Sequence, residues 1–515
     1  MNTTTRWHTL FSWITARPGL AVPLCLALVV VAGSGLAGLK KDTSMTAFIP
    51  PGHPALEARE EARATFGLAD PIALALTRDD GGSIFEPAAL IRIRELTAAV
   101  EALENVRVDR ISSLASESSI LGDAGEIRVD PYIEPAGAVT PEAARAARQR
   151  WLRMLPHQGT LVSHDESAAL ILAEVVDPDQ ALATYQALLD LETLDVAPPF
   201  SVHVAGAAAV SAYLSAYIDR DARRLQPLVV LVMLAFLYLA FRRLPGMLAP
   251  MLVILGASGA TLGIMAWLNI PYFAITNALP VVVLAISIAD SVHILSRYYQ
   301  LTAAGTLRSR RERVVQALCD MARPVTLTTL TTMAGFIGIG VTSIMPPVTY
   351  FAWFAALGVA LAWLLSLTLL PNVMLLVDPG MSPAFGRRKD QLPAGAVRLA
   401  RVGRWSVKHR PLVLLLLALT LLGGTGLALD IRFDRSQVEN FGAGEPIRRA
   451  DALMNERFAG TGTLNVIVDA GEPGGLLRPD VLDRVEQLQN FFSSLPHVGK
   501  TVSIVDYLKL LDRAI

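Results

Sequence analysis

Residues 279–295, LPVVVLAISIADSVHIL, place a single carboxylate, Asp290, within a long apolar stretch. The stretch continues back to Phe273, and about 20 predominantly apolar residues are enough for a helix to cross a bilayer. A carboxylate at the centre of such a helix costs roughly 2.5–3.5 kcal/mol on insertion scales. This cost favours a proton or ion site enclosed by other helices. The alternative is an Asp that neighbouring hydroxyls hold for packing alone.

Composition extends this interpretation to the whole chain. Its 515 residues are 52% hydrophobic and only 18% charged, and its mean hydropathy is +0.44. These values indicate an integral membrane protein. We therefore predict an α-helical polytopic protein with seven spans, at approximately Leu20–Leu39, Leu228–Phe241, Met247–Leu268, Phe273–Leu295, Val325–Ile344, Thr349–Leu376 and Leu412–Leu429.

Basic residues predict the orientation of the spans, since loops rich in Lys and Arg stay in the cytoplasm. With seven spans, every basic cluster falls on one side, whereas residues 40–220 fall on the other and hold 15 Lys and Arg against 27 Asp and Glu. We expect a bacterial inner-membrane protein with a cytoplasmic N-terminus and periplasmic hydrophilic domains. The alternative for the first apolar run, Leu20–Leu39, is a signal peptide that is cleaved off. The basic residues on the cytoplasmic side are Arg6, Arg17, Arg242, Arg243, Arg297, Arg308, Arg310, Arg311, Arg313, Arg323, Arg387, Arg388, Lys389, Arg398, Arg401, Arg404, Lys408 and Arg410.

The chain repeats itself with an offset of about 392 residues. Arg17–Pro18 matches Arg410–Pro411, and each pair comes just before an apolar run. A predicted strand, an amphipathic helix and a second strand follow in both copies, at 72–77, 87–103 and 106–111 and again at 464–469, 478–495 and 500–505. We therefore expect six segments: 1–40 with the first span, a periplasmic domain at 41–224, a five-helix unit at 225–378, a basic cytoplasmic loop at 379–410, a seventh span at 411–430 and an incomplete second periplasmic domain at 431–515.

The first hydrophilic domain shows hydrophobic patterns that alternate between strand and helix. We predict strands at 71–77, 106–112, 168–175 and 201–205, and helices at 87–103, 141–154, 179–193 and 206–223. Two βαβ units of this size favour an α+β, ferredoxin-like layer. The last helix continues into the second span, so it either transmits movement to the membrane or serves only as a junction.

The candidate site residues lie in the fourth and fifth spans. Ser287, Asp290 and His293 recur every three residues, so they lie on or near one helical face and form a candidate proton relay. A carboxylate taken out of water favours its protonated form and can exchange protons. The alternative for His293 is a structural side chain with a satisfied hydrogen bond.

The fifth span is unusually rich in threonine, with five in the seven positions 326–332. Hydroxyls can bond to their own helix or across helices. One interpretation is a polar wall that faces Asp290 through Thr328, Thr329 or Thr332. The alternative is close helix packing by small residues, as for the glycines of the third and fifth spans.

Several kinds of chemistry have no support in the sequence. The chain has no P-loop and no His and Cys spacing suited to zinc. Its two cysteines are Cys25 and Cys319, for which we expect no disulfide. Membrane proximity explains the basic runs without nucleic acid. We therefore expect no enzyme activity, no cofactor, no metal and no nucleic-acid partner.

Three stretches resemble the resistance–nodulation–division (RND) superfamily, most closely its MMPL branch of lipid and hydrophobe exporters. They are Leu279–Leu295, Arg323–Phe336 and Leu369–Pro371, and spans two to six also resemble the sterol-sensing unit of Patched-like proteins. The resemblance implies export of a hydrophobic or lipid-like substrate, driven by the proton-motive force, with Asp290 as the proton carrier. It also implies twelve spans, so we expect a fragment, a second permease half, or pairing of two chains in a homo-oligomer.

Two functions follow from the resemblance. The first is proton-coupled export, with this chain as the N-terminal portion of the permease. The second is a membrane sensor or scaffold that does not transport and binds a sterol-like lipid through spans two to six. An auxiliary role in protein secretion is a third, less favoured, interpretation.

Overall fold

The computed structural model describes residues 3–67, 71–123, 126–177, 180–193, 199–305, 307, 309–380, 394–431 and 438–512. Part of the predicted cytoplasmic charge, including Arg308, Arg387, Arg388 and Lys389, lies outside the described residues. The chain divides into two compact units. The membrane unit comprises Met1–Pro50 and Ile218–Asp434, and the sheet unit comprises Pro51–Tyr217 and Arg435–Ile515.

Seven helices in the described part of the chain are long and apolar enough to cross a membrane, as predicted. A short helix, α1 (Thr3–Ile14), comes before the first of them, and α12 (Ala394–Lys408) comes before the last. The seven are α2 (Pro18–Gly33, with a 3-10 turn to Gly38), α7 (Ala207–Phe241), α8 (Pro245–Trp267), α9 (Leu279–Ala304, after a 3-10 turn at Ala274–Ala278), α10 (Arg310–Thr342), α11 (Pro346–Leu376) and α13 (Arg410–Ala428).

Prolines in the fourth and fifth spans play roles opposite to those expected from the sequence. From the sequence, the position of Pro280 within the fourth apolar run predicts a kink, and that of Pro324 just before the fifth run predicts a helix start. Pro280 instead lies in the first turn of α9, where a missing N–H costs nothing. Pro324 lies inside α10, which begins fourteen residues earlier at Arg310, after a capping box formed by Ser309 and Glu312. This strong helix start outweighs the internal proline.

The spans differ in how deeply they are buried. In the most apolar 18-residue segment of each helix, the buried share of residues is 61% for α8, 56% for α9 and 61% for α11. It is only 17% for α10, and no residue is buried in the corresponding segments of α2 and α13. Small residues allow the close approach of the inner helices. A β-carbon added at Gly358 of α11 would lie 2.5 Å from Val283 of α9 and 3.0 Å from Thr261 of α8. The glycine therefore fixes the contact between these helices.

The sheet unit alternates helices and strands and carries a further set of helices from the second repeat. Helix α7 begins after its last strand and runs without a break into the second span, as predicted. The elements are α3 (Pro54–Phe66), β1 (Pro71–Arg78), α4 (Pro87–Glu101), β2 (Ser118–Asp123), β3 (Glu126–Pro131), α5 (Pro141–Arg153), β4 (Ala168–Glu174), α6 (Ala181–Thr193), β5 (Phe200–Ala205), α14 (Pro446–Arg457), α15 (Pro479–Ser493) and α16 (Ile504–Asp512).

Strands β4, β1 and β5 form a three-stranded antiparallel sheet in that order. Leu74 of β1 lies opposite Ile171 of β4 and Val204 of β5, and all three are buried. The alternate residues, including Ala73 and Ala75, face the other way and pack with Met454 and Phe458, at the end of α14. Both faces of the sheet are therefore covered. The ferredoxin-like arrangement itself stays a prediction.

The predicted strand 106–112 does not form as a continuous strand. Its ends make single bridges to the β4 side, from Val106 to Val175 and from Ser112 to Leu172. A 3-10 turn at Val108–Arg110 interrupts it, since the charged residues there favour a turn toward solvent. The hairpin of β2 and β3 was not predicted, because charged residues such as Asp123, Glu126 and Arg128 leave its short strands with little apolar alternation.

The second repeat keeps the helices of the first but not its strands. Helices α14 and α15 correspond to α3 and α4, and each begins at a proline. The predicted strands at 464–469 and 500–505 are absent. A strand needs a hydrogen-bonded neighbour, and the described residues provide none for 464–469. Lys500 instead donates to backbone carbonyls, among them that of Pro156 at 3.0 Å, and α16 begins at Ile504.

Candidate functional site

Asp290 lies on α9 at the edge of its buried face, and its residue is only 5% exposed. Val283, two turns earlier, packs on α11 and α8. Ala289 on the same helix is exposed, so Asp290 is next to the boundary between the packed and unpacked sides of α9. By sequence, α8 and the apolar part of α11 beyond Tyr350 contain no ionisable side chain. Among the described residues of α8, α9, α11 and the part of α10 after Asp320, Asp290 is the only carboxylate.

Thr329 of α10 is the described residue whose side chain reaches the carboxylate. Its hydroxyl lies 3.5 Å from Asp290 Oδ2 and 2.8 Å from the carbonyl oxygen of Val325. A hydroxyl has one hydrogen, and the shorter bond takes it. The carboxyl group of Asp290 therefore has no short hydrogen bond from Thr329, although the two side chains are in contact across the helices.

The other two members of the candidate relay are not gathered around the carboxylate. Ser287 is fully buried, and its hydroxyl donates to the Val283 carbonyl at 2.5 Å. His293 lies on the exposed side of α9. His293 comes six positions after Ser287, so the two side chains lie about 120° apart around the helix, with Asp290 between them. Their part in proton transfer stays a prediction.

The remaining candidate threonines of α10 bond to their own helix. Thr328 is exposed and donates to the Val325 carbonyl at 2.9 Å, and Thr332 donates to the Thr328 carbonyl at 2.9 Å. Of the three candidates for a polar wall, the structure brings Thr329 within hydrogen-bonding distance of Asp290, whereas Thr328 and Thr332 bond to carbonyls of their own helix.

Besides Nε of Arg313, near the start of α10, three buried polar atoms in the membrane unit have no hydrogen-bond partner among the described residues. They are the hydroxyls of Ser291 on α9 and Ser366 on α11, and the amide oxygen of Asn372 on α11. All three residues are fully buried. Sequence reasoning overlooked them because short polar residues within an apolar run give no signal of their surroundings. Ser291 could have been noticed for its position directly after Asp290.

Polar contacts fix the end of α9 that carries Arg297. The guanidinium Nε of Arg297 donates to Asp320 of α10 at 2.7 Å. The hydroxyl of Tyr299 donates to the Pro379 carbonyl at 3.4 Å, just beyond α11. Asp290 therefore lies between a tightly packed region near Val283 and a helix end that polar contacts attach to α10 and to the chain after α11. Among the described residues, no three His, Cys, Asp or Glu side chains lie close enough together to hold a metal ion.

Comparison with known proteins bears on the same helices. Residues 228–376, which run from the second span to the end of the sixth, match the family model for the Patched sterol-sensing domain. This stretch of the chain is similar to that domain, which confirms the predicted resemblance to Patched-like and RND proteins. Asp290, Thr329 and Ser366 all lie within the matched residues.

A relative from another organism supports the membrane assignment. A membrane protein of Methanocaldococcus jannaschii is 23% identical over 380 residues, which are 72% of this chain and 94% of that protein. Its name describes it only as a membrane protein, so it indicates no substrate. Members of the Patched-like family are transporters or sensors, and the match suggests a lipid-related role for this chain.

Proposed function

We propose that this protein exports a hydrophobic or lipid-like molecule, driven by the proton-motive force, with Asp290 as the proton carrier. The observation that carries the proposal is a buried carboxylate between two membrane helices. Among the described residues, the one side chain within hydrogen-bonding distance of it, Thr329, gives its hydrogen to a backbone carbonyl. Such a group is poorly stabilised as a fixed charge. Intramembrane carboxylates of this kind are typical of proton pathways.

The proposed mechanism uses the change in charge at Asp290. In its neutral form, the carboxylic acid donates one hydrogen bond and tolerates close packing of α9 and α10. In its ionised form, it needs donors or water, which opens the contact with Thr329. The two states favour different helix packings. Helix α7 is continuous from Ala207 to Phe241, so movement in the second span displaces the chain that leaves the sheet.

The finer parts of the proposal follow from the resemblance. We place the protein in a bacterial inner membrane, with segments 41–224 and 431–515 in the periplasm as ferredoxin-like, porter-type domains. The complete transporter contains a second membrane half, supplied by further chain, by a second polypeptide or by a second copy. Substrate enters from the outer leaflet or the periplasm.

A transport experiment tests this proposal. The intact assembly is reconstituted in vesicles with a fluorescent phospholipid, and removal of the lipid is measured with and without an imposed proton gradient. We expect gradient-dependent removal that is lost in Asp290→Asn and kept in Asp430→Asn, which changes an exposed carboxylate after α13. Transport at the wild-type rate in Asp290→Asn would reject the proposal.

A sensor or scaffold that binds a sterol-like lipid is the second candidate, favoured by the match to the Patched sterol-sensing domain. It predicts that a photoreactive sterol labels residues within 228–376 whether or not a gradient is present. It also predicts that labelling survives Asp290→Asn. Gradient-independent labelling combined with no lipid transport would favour this candidate over export.

A further inference from the structure

Ser366 of α11 is a fully buried serine whose hydroxyl has no hydrogen-bond partner among the described residues. Serine in a helix usually bonds to the carbonyl four residues earlier. Thr368, two residues further along α11, does so, and donates to Leu364 at 2.6 Å. Ser366 therefore departs from the pattern of its own helix. An unpaired buried hydroxyl is costly, which indicates a partner that is not a protein atom.

The depth of Ser366 matches that of Asp290. Helices α9 and α11 run in the same direction, since Val283 meets Gly358 at one end and Tyr299 bonds to Pro379 at the other. These contacts pair residues that differ by 75 and by 80 in number. Asp290 therefore lies level with residues 365–370 of α11, and Ser366 is within about one helical turn of it, or about 5 Å along the axis.

The direction of Ser366 also points toward the carboxylate. On α11, Gly358 faces α9, and the indole N–H of Trp363 donates to Thr326 of α10 at 3.0 Å. At about 100° per residue, Trp363 lies about 140° around α11 from Gly358, and Ser366 about 80°. Ser366 thus faces the space between α9 and α10, which is where Asp290 and Thr329 meet.

We propose that Ser366 and Asp290 together hold a buried water molecule among α9, α10 and α11, and that this water is the first acceptor of the Asp290 proton. The inference rests on the proposed role of Asp290 as proton carrier. In the step, the O–H bond of the carboxylic acid breaks, and a new O–H bond forms on the water. The water passes a proton to further water, and the reverse sequence restores the acid.

The neighbouring elements favour water over other ligands. By sequence, α8 has no charged side chain to bind an ion, and α11 supplies two neutral hydroxyls at this depth. That of Thr368 is already bonded to Leu364, which leaves the hydroxyl of Ser366. On α10, the charges of Asp320 and Arg323 come six or more residues before Thr329, and Asp320 is already paired with Arg297. His293 on α9 is exposed. One carboxyl and one hydroxyl, both enclosed, suit a small neutral molecule with two or more hydrogen bonds.

Isotope exchange of the carboxyl proton tests this inference without a transported substrate. The full chain is reconstituted in lipid, and the infrared carbonyl band of protonated Asp290 is assigned by its loss in Asp290→Asn. Transfer to deuterium oxide shifts the band at a rate set by access of water. We expect Ser366→Ala to slow the shift by roughly tenfold, as for loss of one hydrogen bond on the exchange path.

Matched variants make the result decisive. Ser366→Thr keeps the hydroxyl and is expected to exchange at nearly the wild-type rate. Thr368→Ala removes a hydroxyl that is already satisfied and should have no effect. If Ser366→Ala fails to fold, Ser366→Cys keeps the volume, removes the strong hydrogen-bonding group and should show the same slowing.

The outcomes separate this inference from the proposed function. Exchange at the wild-type rate in Ser366→Ala or Ser366→Cys would overturn the water site while leaving the proton-carrier role intact. Equal slowing in Thr368→Ala would overturn it as well. If the wild-type protein shows no protonated Asp290 band at any pH, both the water site and the proton-carrier role are rejected.

Discussion

Helices α10 and α11 both neighbour α9 and are both apolar enough to cross a membrane, yet they differ in how deeply their residues are buried. The most apolar segment of α11 is 61% buried and that of α10 only 17%. Threonines dominate α10, and the hydroxyls of Thr328, Thr331 and Thr332 bond to their own backbone. On α11, Thr368 does the same, but Ser366 is fully buried and its hydroxyl has no partner among the described residues. Polar composition alone therefore does not identify the functional face.

The largest expected effect is on thermal stability, and it differs between a glycine of α11 and a glycine of α10. Gly358→Leu in α11 forces a side chain into Val283 and Thr261, whereas Gly338 in α10 has no atom within 4 Å of an added β-carbon. Overpacking of a tight contact costs about 1–3 kcal/mol and occasionally more. We expect Gly358→Leu to lower the melting temperature of the purified chain strongly. Gly338→Leu should leave it unchanged, and equal losses in both variants would contradict the contrast in packing.

A smaller effect is expected from the threonine that contacts the carboxylate. Thr329→Val keeps the shape of the side chain and removes the hydroxyl that lies 3.5 Å from Asp290. Because this contact is long, we expect gradient-driven lipid transport to fall by only a few-fold. Thr331→Val on the exposed side of α10 is the matched control, with no expected change. A loss as complete as that of Asp290→Asn would show that Thr329 does more than contact the carboxylate.

The smallest effect concerns the hydrogen bond that joins the two helices. Trp363→Phe removes the bond to Thr326, and such bonds between membrane helices contribute about 0.6 kcal/mol on average. We expect a small decrease in unfolding free energy, measured by denaturation in mixed micelles. Trp353→Phe, which alters a half-exposed indole on the same helix, serves as the comparison. A decrease of similar size in both variants would assign the effect to lost ring area rather than to the bond.

The sequence predicts the spans well because each one depends on its own composition. The run containing Asp290 needs no partner to be recognised, and the same is true of the long helix α7. Paired elements were harder to predict. The β2–β3 hairpin is local, but its charged strands show little apolar alternation. The missing strand at 464–469 depends on which distant segment supplies hydrogen bonds, and hydrophobic periodicity does not contain that information.

The candidate site shows the same division between local and distant information. Asp290 could be identified from its surroundings in sequence, and one threonine of the fifth span could be expected to reach it. Which threonine does so depends on the rotation of α10, and of the three candidates Thr329 is the one that the structure places within hydrogen-bonding distance of Asp290. His293 is close in sequence but lies on the exposed side of its helix. Ser366 gave no signal, since its importance arises from the packing of three helices.

Reversible protonation of Asp290 is the central claim, and infrared titration of the full chain in lipid tests it most directly. We predict a carboxylic-acid carbonyl band that appears and disappears as the pH is cycled within the range in which the protein stays folded. The band should be absent in Asp290→Asn and present in Asp430→Asn. A carboxyl group at residue 290 that stays fully ionised or fully protonated across that range would contradict the account.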